Sequence, residues 1–67
     1  MIQITLEAAR VNAGYTQDAA AELLNVTKQT IINWEKSRTL PSVTQARDIE
    51  RVYGIPLDYI RFPKNQI

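Results

Sequence analysis

Residues 14–42 read GYTQDAAAELLNVTKQTIINWEKSRTLPS, and this stretch decides the fold. Thr16 carries the hydroxyl of a helix N-cap, and Asp18 follows where the positive end of a helix favours an acid. QDAAAELL is rich in strong helix formers through Leu24, and Tyr15 is placed to pack on Ala20 as a hydrophobic staple. The pattern breaks at Asn25, the residue that after glycine best tolerates positive φ, so a tight turn is specified locally. Thr27 is then a new N-cap. Ile31 and Trp34, three apart, give one apolar face to a helix running to about Lys36. Two short helices joined by one tight turn, over about residues 17–36, are the expectation.

Lys28 breaks a local rule. It sits in the first turn of its helix, where a cation costs about a few tenths of a kcal/mol against the dipole. Gln29, Thr30 and Asn33 are polar and lie away from Ile31 and Trp34. Lys, Gln, Thr and Asn side chains can all donate to phosphates or base edges, and an anion facing this end would remove the conflict at Lys28. The plain alternative is a solvated helix face.

Working outward, Leu6, Ala9, Arg10 and Ala13 fall at i, i+3, i+4 and i+7, which predicts a first helix from about Thr5 to Ala13, ended by Gly14. After Pro41, Ser42 and Gln45 form a capping box, and Ala46, Ile49 and Val52 are the apolar stripe of a fourth helix stopped by Gly54. Pro56 suits the first turn of a short fifth helix, PLDYI, at about residues 56–61, which Pro63 closes. No strand pattern is visible. The expected fold class is all-α: a compact five-helix domain occupying residues 1–67, with helices two and three as a helix-turn-helix.

A chain of 67 residues makes one small domain with an economical core. It has no cysteine and no histidine, which excludes a disulfide scaffold and thiol metal sites and removes the commonest metal ligand and general base. An enzyme is therefore the weakest reading, and no metal or cofactor is expected. No apolar run approaches the ~20 residues that span a bilayer, and MIQITLEAAR lacks the features of a signal peptide, so the expected location is the cytoplasm with no membrane partner. The formal net charge is only +1, but its distribution is uneven. Residues 25–47 hold Lys28, Lys36, Arg38 and Arg47 against the single acid Glu35.

The order G-hydrophobic-T-Q, a small residue at Ala21 where the helices cross, V-T, I-x-x-W-E and a proline before helix four resembles the phage repressor and Cro family of helix-turn-helix proteins. The resemblance covers roughly residues 5–60. It implies a domain whose third helix enters the major groove of double-stranded DNA with its first residues against base edges. Lys28, Gln29, Thr30 and Asn33 would be the base-contacting residues: Gln29 suits adenine N6 and N7, Lys28 guanine or a phosphate, and Thr30 a thymine methyl. Gln17 matches the position in the family that bonds a backbone phosphate with help from the helix N-terminus. Thr27, Lys36, Arg38 and Arg47 would complete the phosphate contacts.

Arg10 and Glu35 match a pair that the family uses structurally, and a guanidinium on the apolar side of helix one needs such a partner. One departure stands out: Ser37 occupies a position where the family usually has glycine, which leaves the course of Ser37 to Leu40, and the aim of Arg38, open. Many relatives bind as dimers, and Leu57, Tyr59 and Phe62 are the candidate contacts of a homodimer. The reading is a sequence-specific DNA-binding regulator, a small repressor of phage or prophage type, with no small-molecule ligand expected. The rival is a protein-interaction module, such as an antitoxin-like domain, that docks a partner on the same polar helix.

Overall fold

Four hydroxyl side chains start four helices in the computed structural model, which describes residues 2–62. Thr5 Oγ1 accepts from the Ala8 amide at 3.0 Å and opens α1 (Leu6–Asn12). Thr16 does the same for Ala19 at 3.0 Å and opens α2 (Gln17–Leu24). Thr27 accepts from the Thr30 amide at 3.1 Å and opens α3 (Lys28–Glu35). Ser42 and Gln45 form a reciprocal capping box, 3.1 and 2.8 Å, at the start of α4 (Val43–Tyr53). Each cap satisfies an amide that the helix itself leaves without a partner.

The helix ends are as firmly specified. Asn25 takes φ 58°, and the Val26 amide reaches back to the Ala21 carbonyl at 2.9 Å, which turns the chain from α2 into α3 within three residues. Ser37 takes φ 64°, with its own amide on the Trp34 carbonyl (3.2 Å) and the Arg38 amide on the Asn33 carbonyl (2.9 Å). The same left-handed cap that glycine would form is therefore made by serine, at a conformational cost to a residue with a Cβ. Ser37→Gly is expected to stabilise the domain by about 0.5–1 kcal/mol, seen as a rise in Tm of ~2–8 °C. An unchanged or lower Tm would mean that the serine hydroxyl supplies a compensating bond.

The core is built from Leu6, Ala9, Ala20, Ala21, Leu24, Ile31, Trp34, Ile49, Tyr53 and Ile60. The two alanines, 0% and 5% exposed, let α2 lie close against α3. Tyr53, which the apolar stripe of α4 did not announce, packs its ring 6.3 Å from that of Tyr15. Burial pushes its phenol up to about 12, so it stays neutral inside the fold.

The C-terminal part differs from the expectation of a fifth helix. Among the described residues there are four α-helices, and residues 57–59 form only a single 3-10 turn. Pro56 precedes that turn with extended ψ of 143° instead of opening a helix, and the Leu57 amide is taken up by Glu50 Oε2 at 3.1 Å. Three residues cannot close an α-helical turn, and the β-branched Ile60, 2% exposed, is drawn into the core in extended form. The absence of strands is corrected by the same segment: β2 (Ile60–Arg61) pairs in parallel with β1 (Ile4–Thr5), Ile4 beside Ile60 and Thr5 beside Arg61. Gln3 Nε2 adds a bond to the Asp58 carbonyl at 3.0 Å. Two-residue strands are too short to leave a period in the sequence. Pro63, expected to close the last helix, lies outside the described residues.

Candidate nucleic-acid interface

The packing of Ile31 and Trp34 into the core, 1% and 4% exposed, fixes which face of α3 points outward. Lys28 and Gln29 are exposed in its first turn, and Thr30 and Asn33 are half-buried beside them. Gln29 Nε2 donates to Asn33 Oδ1 at 3.0 Å, an i,i+4 bond that holds both carboxamides on one face. Thr30 turns inward along the helix start, its hydroxyl 2.9 Å from that of Thr27, so less of it is free for a partner. Lys36 and Arg38 are exposed at the other end of α3, where the Ser37 cap sets the Arg38 backbone.

Behind this face lies a buried charge cluster. Arg10 Nε donates to Glu35 Oε2 at 2.6 Å, Nη2 reaches Oε1 at 3.4 Å, and Nη1 donates to the Tyr15 carbonyl at 2.8 Å. The two side chains are 9% and 4% exposed. The hydrogen bond to Glu35 raises the Arg10 guanidinium further above its ordinary value, against the opposing effect of burial. Gln17 joins the cluster: its Nε2 donates to Glu35 Oε1 at 3.0 Å. One carboxylate thus ties the last turn of α1 and the start of α2, and through Arg10 the loop between them, to the last residue of α3. Sequence gave no signal for the Gln17 bond, because it spans 18 positions with no local pattern.

Lys28 has a partner that sequence reasoning missed as well. Its Nζ lies 3.6 Å from Asp18 Oδ2, across from the first turn of α2. The first turns of α2 and α3 therefore meet at one edge, and the dipole conflict at Lys28 is relieved by an acid of the same chain. At 52% and 76% exposed, this pair adds little to stability.

The remaining candidates stand elsewhere. Arg47 lines a groove of about 510 Å³ between α4 and the C-terminal turn, with Glu50, Asp58 and Phe62. Leu57 and Phe62 pack partly against the core, while Tyr59 is 46% exposed. Among the described residues no cluster of acids could hold a metal ion, and no helix is long and apolar enough to cross a membrane.

A family model described as helix-turn-helix matches residues 6–60 of this sequence. The chain belongs to the helix-turn-helix family. That agrees with the resemblance to phage repressor and Cro proteins carried by residues 14–42. The HTH-type transcriptional regulator ImmR of Bacillus subtilis (strain 168) is 34% identical over 55 residues, 82% of this chain and 43% of that protein. An uncharacterized HTH-type transcriptional regulator of Methanothermobacter thermautotrophicus (strain Delta H) is 47% identical over 45 residues, 67% of this chain and 65% of that protein. The matched region of this helix-turn-helix chain thus spans less than two thirds of either relative's length. No solved structure matches it.

Proposed function

We propose that this chain is a sequence-specific DNA-binding transcriptional regulator, a small phage- or prophage-type repressor that works in the cytoplasm. Residues 1–67 act as one helix-turn-helix domain, and α3 reads the major groove. The observation that carries this reading is the outward part of α3, where exposed Lys28 and Gln29 adjoin and Gln29 is bonded to Asn33, on a helix capped at both ends. Gln29 offers base-edge contacts, Lys28 a base or a phosphate, and Thr30 its methyl. Thr27, Lys36 and Arg38 contact backbone phosphates, together with Gln17 through whatever its bond to Glu35 leaves free. Arg47 has less support as a phosphate contact, since it faces the groove of α4.

Selection of random duplexes by the purified protein tests the reading directly. A recovered motif supports it, and capture without sequence preference overturns it. A palindromic motif bound by two copies would support homodimer formation through the side that carries Leu57, Tyr59 and Phe62, whereas an asymmetric motif bound by one copy removes that part. On the selected site, Gln29→Ala is expected to cost about 1–3 kcal/mol and much less on random DNA, because a base-edge contact carries discrimination. Equal losses on both, measured by titration, would remove Gln29 from the readers.

A further inference from the structure

Lys28 and Asp18 form an ion pair between α3 and α2, and among the described residues no other ion pair joins these two helices. Neither group is pinned by burial, so the lysine can exchange one oxygen anion for another. A carboxylate presents to an ammonium the same chemistry as a backbone phosphate. Asp18 stands in the first turn of α2 beside Gln17, on the edge that the proposed DNA-binding surface offers to the duplex. A phosphate approaching Lys28 meets that fixed negative charge a few ångströms away.

We propose that Asp18 is an intramolecular competitor for Lys28 that holds down the affinity of this domain for DNA of any sequence. This rests on the DNA-binding reading and adds a residue to it that works against binding. Two physical effects act in the same direction. Breaking the pair must precede or accompany a contact from Lys28 to DNA, and the released carboxylate then repels the phosphate. A lysine already neutralised by its own carboxylate also displaces fewer counterions from DNA, so it contributes less than a free lysine to the salt dependence. The pair is exposed and its electrostatics are largely aqueous, which limits the effect to about three- to tenfold in affinity.

The test is binding of the full chain to a random-sequence duplex across a range of salt concentrations, followed by fluorescence anisotropy. Wild type is compared with Asp18→Asn, Lys28→Gln and the double variant, after thermal melting has shown that each is folded. Asp18→Asn is expected to bind about three- to tenfold tighter, with a salt slope steeper by about 0.9. In the Lys28→Gln background, the same Asp18→Asn change should give a clearly smaller gain, because the lysine for which Asp18 competes is gone and only the repulsion of phosphate by the carboxylate is left to relieve. An equal gain in both backgrounds would reduce Asp18 to a general surface charge and overturn the proposal, as would no gain in either. Salt-dependent binding by wild type in those cases leaves the DNA reading standing. No binding by wild type at any salt concentration sinks the reading and the proposal together.

Discussion

Glu35→Ala is expected to lower the unfolding free energy by about 3–5 kcal/mol. The carboxylate is 4% exposed and receives Arg10 through two nitrogens and Gln17 through a third. Removing it leaves the Arg10 guanidinium, itself 9% exposed, without its buried counter-charge. Glu7 is no substitute: its nearest oxygen is 3.9 Å from Arg10 Nη2, and it is 64% exposed. A domain of this size has about 3–10 kcal/mol of stability in total, so the variant should be largely unfolded or melt well below wild type in chemical denaturation. The cost comes from stranding a charge, since the pair itself has little net worth. Arg10→Met combined with Glu35→Leu should therefore recover much of the loss. Recovery will be incomplete, because the Tyr15 carbonyl and Gln17 lose their partners too. A loss of under about 0.5 kcal/mol for Glu35→Ala would show that the cluster opens to water in solution.

The contrast between what the sequence revealed and what it hid follows from the range of each interaction. Helix starts were legible because an N-cap is a contact between residues three apart: Thr16 with Ala19, Thr27 with Thr30, Ser42 with Gln45. Asn25 was legible because one side chain sets one φ. Ser37 was the ambiguous case, since serine does not ask for φ 64° and the six-residue loop closure through Asn33 and Arg38 imposes it. The β1–β2 pairing was hidden, being two residues at each end of the chain and contributing no period. The outward face of α3 was legible from Ile31 and Trp34 alone. Its chemistry was only half visible, because the partners of Gln17 and Lys28 lie 18 and 10 positions away in sequence and are fixed by how α2 packs on α3.

That half-hidden partner changes the expected behaviour of Lys28→Glu. Helix electrostatics alone favour an acid at this position by about 0.3–1 kcal/mol, which by itself would stabilise the free domain. Asp18 opposes the gain. The variant loses an exposed ion pair worth about 0–1 kcal/mol and places a like charge in its stead. The effects nearly cancel, and the melting free energy should change by less than about 0.5 kcal/mol. DNA binding has no such compensation: a contact worth about 1–3 kcal/mol is lost and two acids now face the phosphates from the meeting edge of α2 and α3. A loss of about 100-fold or more in affinity is expected, greatest at low salt. Adding Asp18→Asn to Lys28→Glu should uncover the dipole gain as a small rise in Tm while leaving binding poor. Melting and binding on these two proteins separate the roles. Wild-type affinity in Lys28→Glu would move the reading surface away from the start of α3, and a large fall in its Tm would show that the Asp18 pair holds the two helices together.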